Sequence, residues 1–117
     1  MKKSELKNGM IVQSSGGRYG IVCIKDATDS NCIKFFYDPM LLRDHGSVEK
    51  ACYGDFIVSL DDFNENMVVT ISKEQAKEAG MSIAEYDDFG DEIPIWNIKR
   101  VFSLREEWIR EEKYFNT

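Results

Sequence analysis

The sequence predicts a mainly β fold with added helices, in which short strands curl into a small barrel. Three observations carry this reading. The stretch from Met10 to Ile24 has the signature of a β-hairpin, with Gly16-Gly17 supplying a turn that accepts positive φ. Both faces of its second arm are apolar, so both are expected to be covered, as happens when an extra element packs outside a closed barrel. Ser-x-x-Gln/Glu signatures at Ser72, Ser82 and Ser103 then mark helix starts on either side of a last strand.

Along the chain, Ser4 to Asn8 reads as a short turn or a single helical turn, punctuated by Asn8-Gly9. Met10, Ile11 and Val12 open the first strand, and Arg18 to Ile24 form the second. There Tyr19, Ile21 and Cys23 share one face, with Val22 and Ile24 on the other. Asp26 to Asn31 is a polar loop. A third strand runs through Ile33, Phe35 and Tyr37 and ends at Asp38-Pro39, because proline lacks a ladder donor and biases its predecessor away from helix. Met40 to Lys50 carries mixed signals: Leu41, Leu42 and Val48 are apolar, whereas Asp44, His45 and Gly46 suggest a turn. Gly54 to Leu60 is a strand with Phe56, Val58 and Leu60 on one face. Asp61 to Asn66 is a polar turn, and Met67 to Ile71 is a short strand or an extended approach to a helix.

Two short helices, Lys73–Ala79 and Ile83–Asp88, make a helical insertion over about 72–90, before the last strand, Ile95 to Phe102. Strict alternation puts Trp96, Ile98, Arg100 and Phe102 on one side of that strand and Ile95, Asn97, Lys99 and Val101 on the other. A C-terminal helix spans about 104–115. At about 100° per residue, Leu104, Trp108 and Phe115 fall in one stripe.

Composition sets the limits. The 117 residues accommodate a single domain, 1–117, large enough to fold without metal or disulfide staples. A content of 43% hydrophobic residues argues for a packed core over disorder. The net charge of −6 disfavours a nucleic-acid surface, which rests on clustered Lys and Arg; Lys2-Lys3 and Lys99-Arg100 are pairs, not stripes. Cys23, Cys32 and Cys52 are odd in number and lack zinc or secreted-framework spacing, so free thiols in a reducing cytoplasm are expected. Neither a signal core nor a run long enough to span a bilayer is present, so no membrane partner is expected.

Few residues invite a chemical role. His45 is the single histidine, with Cys52 seven residues on; a thiol and a base within hydrogen-bond reach support nucleophilic catalysis, but no flanking signature accompanies them. Glu85, Asp87, Asp88, Asp91 and Glu92 place five acids in eight positions, and Asp61, Asp62 and Glu65 form a second group. Their spacing is not that of a calcium loop, so a solvated surface or a docking site for a basic protein is expected. Gly16-Gly17 lacks the spacing of a phosphate loop. The strand aromatics Tyr19, Phe35, Tyr37, Phe56, Trp96 and Phe102 are core candidates, some of which could line a shallow peptide groove. Trp108 either packs back onto the barrel or joins a partner's surface.

The opening Leu6-Lys7-Asn8-Gly9-Met10-Ile11-Val12, followed by Gly16-Gly17-Arg18-Tyr19 and Ile21-Val22, resembles a family of small uncharacterised proteins of phages, prophages and mobile elements of Gram-positive bacteria. Ser59-Leu60-Asp61-Asp62-Phe63-Asn64-Glu65 matches that family's Asn/Asp-rich turn, and Trp96 to Phe102 its closing strand. Asn97 replaces the usual aspartate, and Met67 to Pro94 is longer than the usual spacer. The resemblance implies a small SH3-like β-barrel and no assigned activity.

The leading functional expectation is a non-enzymatic interaction module of phage or mobile-element origin, cytoplasmic, monomeric or homodimeric, acting without a cofactor on a protein partner. Glu85, Asp87, Asp88, Asp91, Glu92 and Trp108 are the candidate protein-binding residues. The alternative is an acidic nucleic-acid mimic or inhibitor that binds a basic protein. A thiol enzyme using Cys52 and His45, and single-strand binding by aromatics beside Lys99 and Arg100, rank below both.

Overall fold

The hairpin is the centre from which the sheet grows. In the computed structural model, which describes residues 2–24, 31–45 and 55–115, β1 (Ile11–Ser14) and β2 (Tyr19–Cys23) pair antiparallel. At their turn Gly17 takes φ +88° and its N–H donates to the Ser14 carbonyl. A side chain in that left-handed conformation would be strained, which is why glycine marks the turn. β3 (Cys32–Phe36) adds to β2, and β4 (Phe56–Ser59) adds to β3. On the far side of β1 lies β6 (Ile93–Phe102), whose first half pairs with β5 (Val68–Ile71). The result is a six-stranded antiparallel sheet in the order β4-β3-β2-β1-β6-β5, curled into a half-barrel.

Two bulges bend β6. Between Gln13 and Ser14 of β1, the partner steps from Arg100 to Ile98 and leaves Lys99 over; between Val69 and Thr70 of β5, it steps from Trp96 to Pro94 and leaves Ile95 over. An extra residue raises local twist and resets which side chains face inward. Trp96, Ile98 and Val101 therefore join the concave core, while Phe102 joins the convex one. This corrects the strict alternation read from the sequence, which grouped Phe102 with Trp96 and set Val101 apart.

Both faces of the sheet are buried, as the two-sided hairpin implied. The concave core gathers Val12, Val22, Ile33, Phe35, Phe63 and Met67. The convex core gathers Ile11, Tyr19, Ile21, Cys23 and Phe36 beneath two helices, α1 (Pro39–His45) and α4 (Arg105–Glu111), which contribute Leu42 and Trp108. Each such side chain, once removed from water, contributes roughly 1.5–3 kcal/mol.

The Asp38-Pro39 pair ends β3, as expected, and also starts α1. The Asp38 carboxylate accepts from the Met40 N–H at 2.9 Å, and proline fits the first helical position because its missing N–H would have had no partner there. The mixed stretch from Met40 is thus helical as far as His45, and no turn forms at Asp44. Residues 46–50 and most of the 26–31 loop lie outside the described residues.

The insertion before β6 consists of α2 (Lys73–Glu78) and α3 (Ile83–Tyr86). Ser72 Oγ accepts from the Gln75 N–H at 3.2 Å while Gln75 Oε1 accepts from the Ser72 N–H at 2.9 Å. At Ser82 the Glu85 carboxylate accepts from the backbone N–H at 2.9 Å. The third signature does not cap as read. Leu104, not Ser103, is the N-cap of α4, and the carboxylate that reaches the Ser103 N–H at 3.2 Å is that of Glu107, not Glu106. The helix start moves accordingly, and Leu104 stays 61% exposed; the sheet-facing stripe is Trp108 with Ile109 and Phe115.

Candidate functional site

Because the half-barrel does not close, β4 and β5 are its two edges, and the space between them is a groove of about 440 Å³. The chain leaves β4 through a single 3-10 turn, Leu60–Asp62, and crosses to β5. There Phe63 bridges Val69, and the Asn64 N–H donates to the Val68 carbonyl at 2.9 Å. The Asn64 side chain accepts from the N–H groups of Asn66 and Val68, holding Met67 at φ 61° with its side chain buried. The groove is therefore pinched at the crossing and opens away from it.

Its floor is aromatic. Phe35 is stacked on Phe56 with centroids 5.1 Å apart and meets the edge of Trp96 at 5.0 Å; Trp96 in turn lies 5.5 Å from Phe63, and Phe56 lies 5.5 Å from Tyr37. Such pairs contribute about 0.5–1.5 kcal/mol each beyond burial, so the floor is rigid. Val69 and Ile71 of β5, Gln75 of α2 and the bulged Ile95 form the far wall, and Asp62 is the one ionisable side chain among the described residues of the lining. Of the aromatics flagged in the sequence, Tyr19, Phe35 and Phe102 are core, Phe56 and Trp96 are half-buried at the groove, and Tyr37 is exposed. Asp62 belongs to the second acidic group read from the sequence, whereas Thr70 and Gln75 carry no local signal of this role. They converge only because the crossing segment and α2 bring them together.

A second constellation fastens the C-terminal end of α4 to the hairpin. The Tyr19 hydroxyl donates to the Glu112 carboxylate, which Arg100 approaches at 3.8 Å; Arg100 also donates to Gln13 Oε1 at 3.3 Å. Burial first, and the Glu112 hydrogen bond second, push the Tyr19 hydroxyl up to about 12. Arg100 pulls the other way, as does the nearby indole N–H of Trp108, which is buried without a well-aligned partner. A phenol held protonated, beside a carboxylate already occupied by it, is a structural clasp. No spacing rule reaches across the 93 positions between its two ends.

The remaining sequence candidates are dispersed. Trp108 is fully buried, 5.1 Å from the Tyr19 ring and 4.9 Å from Phe115, so it packs back onto the barrel, the first of its two expected fates. Glu85, Asp87, Asp88, Asp91 and Glu92 are all exposed. Glu85 caps α3, and the Asp91 carboxylate accepts from the Lys73 N–H at 3.4 Å. Among the described residues no three His, Cys, Asp or Glu side chains converge as a metal site would require. His45 closes α1, and Cys52 lies outside the described residues. Cys23 and Cys32 are buried, opposite one another in register. Arg100 is committed to Glu112, Gln13 and the face of Phe102, so the Lys99-Arg100 pair does not present a joint basic patch. No helix among the described residues is long and apolar enough to cross a membrane. Comparison of the chain with protein-family models, with curated proteins and with solved structures gives no match.

Proposed function

We propose that the chain is a non-enzymatic interaction module that docks a protein segment in the groove between β4 and β5. The observation that carries this reading is the groove itself: a rigid aromatic floor between two strand edges, with a single carboxylate at its pinched end. Apolar walls with few polar groups favour binding, and a lone Asp62 offers no second group for acid–base or nucleophilic chemistry. The resemblance of the Leu6–Val12 opening and the hairpin to phage and mobile-element proteins supports an accessory role in that setting, in the cytoplasm.

The test is selection of binding peptides from a displayed random library, followed by titration of the parent chain and of Trp96→Ala. Selected peptides should shift the Trp96 indole resonance, and the variant should lose on the order of tenfold in affinity, the usual scale for a buried aromatic anchor. Binders that map elsewhere and ignore Trp96→Ala sink the proposal.

One observation favours a second reading, an acidic mimic for a basic partner. The five carboxylates from Glu85 to Glu92 are exposed on α3 and the turn after it. Joint substitution of Asp87, Asp88 and Glu92 by Asn or Gln leaves both caps intact. It should abolish competition with DNA for a basic protein if this reading holds, and leave it unchanged if it does not.

A further inference from the structure

The way β4 pairs with β3 determines what kind of segment the groove can hold. Leu60 N–H donates to the Asn31 carbonyl at 2.9 Å. In an antiparallel ladder, directly hydrogen-bonded pairs alternate with unbonded ones. Counting back in register, Val58 with Ile33 and Phe56 with Phe35 are bonded pairs, whereas Ile57 with Lys34 is not. The Ile57 N–H and C=O therefore point away from β3, into the seam, and no strand among the described residues pairs with that edge. The two residues that flank Ile57, Phe56 and Val58, send their side chains into the groove.

We infer that the groove binds its partner by strand addition, as an extended segment laid along β4. This rests on the docking reading above and adds the chemistry of the occupant. The residue opposite Ile57 turns outward to solvent, as Ile57 does at 60% exposure, so it can be polar. Its two neighbours point inward over Trp96, Val69 and Ile71 and must be apolar. The segment's end at the crossing meets Asp62, with Asp61 beside it and no basic side chain in the lining, so that end carries Lys or Arg. The occupant is thus an extended segment of alternating apolar and polar residues with a cation at one end. Along Val68–Val69 the β5 edge offers it no place, because that stretch is already covered by Phe63 and Asn64.

The test uses the whole chain and two synthetic peptides of about seven residues, alternating Val and Thr with Lys first in one and last in the other, because an antiparallel segment brings its N-terminus to Asp62 and a parallel one its C-terminus; each is long enough to span β4 at about 3.3 Å per residue. Binding should shift the Trp96 indole resonance and slow hydrogen exchange at the Ile57 amide. Methylating the peptide nitrogens that face β4 should weaken binding about tenfold, the worth of one or two backbone hydrogen bonds, while methylating the alternate set changes it less than about threefold. Replacing the terminal Lys by Glu should weaken binding, most at low salt. Binding that shifts Trp96 but is indifferent to which nitrogens are methylated overturns strand addition and leaves groove docking standing. If neither peptide binds, strand addition falls, and the library selection decides the docking reading separately. Because the discriminating substitutions are in the peptide, no variant of the chain has to fold for the result to be read.

Discussion

Gly20 is the second residue of β2, with its missing side chain aimed into the concave core, directly opposite Phe35 of β3. A Cβ built there would lie 2.8 Å from Ile33 Cγ2, 2.9 Å from the Lys34 carbonyl oxygen and 2.9 Å from Phe35 Cδ1. The Ile33 methyl sits on a β-branched carbon in a fully buried side chain and has little room to turn; beyond it, the carbonyl belongs to the β2–β3 ladder and the Phe35 ring is wedged between Phe56 and Trp96. Gly20→Ala therefore overpacks against groups that cannot move cheaply, at the upper end of the usual range, about 3 kcal/mol. The stiffer unfolded chain offsets roughly 0.4–1 kcal/mol of that, leaving a net loss of about 2 kcal/mol. Unfolding entropy of about 2.1 cal/mol/K per residue, over 117 residues, gives about 0.25 kcal/mol/K and a fall in Tm of about 8 °C. Calorimetry measures the shift, and the Trp96 indole resonance should move because Phe35 carries the displacement to the groove floor. Gly17→Ala is the control: at φ +88° with no atom within 4 Å of its Cβ, it costs only backbone strain, about 1 kcal/mol, and leaves Trp96 undisturbed. A Gly20→Ala chain that melts within about 2 °C of the parent refutes the close approach of β2 to Phe35.

Three further outcomes follow from the packing. Trp108→Ala should lose about 3–5 kcal/mol in denaturant titration, whereas Trp108→Phe, which keeps a ring in the convex core, should lose less than half as much. Ser72→Ala should cost about 1 kcal/mol by removing the N-cap acceptor of α2, while Ser103→Ala should change Tm by less than about 2 °C, since its side chain caps nothing. The Tyr19 hydroxyl, neutral when protonated, holds its proton more tightly folded, at about 12, than in the unfolded chain, at about 10. Its contribution is full below pH 10 and lost as pH rises from 10 through 12, so stability should fall over that window and Tyr19→Phe should flatten the fall; an unchanged slope in the variant would assign the loss elsewhere.

Local chemistry is what the sequence makes readable. Gly16-Gly17, the Ser72 and Ser82 signatures and the two-sided apolar pattern of Tyr19 to Cys23 each act within a few residues, and each forms as expected. The misreadings share a cause: one local signal was compatible with two structures. Met40 to His45 fitted a turn or a helix, and it is helical, with Leu42 buried against the convex core; Asp38-Pro39 starts that helix as well as ending β3. Ser103 and Leu104 were both available as the start of α4, and placing Trp108 under Tyr19 decides in favour of Leu104. A bulge leaves no mark in composition, so Lys99 and Ile95 look like ordinary strand residues until β1 and β5 impose their registers. A shallow groove lined by strand aromatics was legible, and Phe56 and Trp96 line it; its position was not, since β4, β5, β6 and α2 all contribute to it.

What keeps the seam open can be traced to particular contacts. To close the barrel, β4 would have to pair along β5, but the Val68–Val69 half of that edge already holds Phe63 and Asn64. That crossing segment is itself held from the N-terminal side: Lys3 donates its backbone N–H to the Glu65 carbonyl at 2.8 Å and its ammonium to the Phe63 carbonyl at 3.1 Å. Leu6 packs with Phe63 in the concave core a few residues on. Meanwhile the bulge at Ile95 bends β6 just beyond Trp96, and Pro94 has no N–H to draw β5 in more closely there. The N-terminal turn and the bulged strand thus act on the same gap from opposite sides. Both act through the concave core, which supplies Phe56, Val58, Val69 and Trp96 to the gap, whereas the convex core under α1 and α4 shares no described side chain with it.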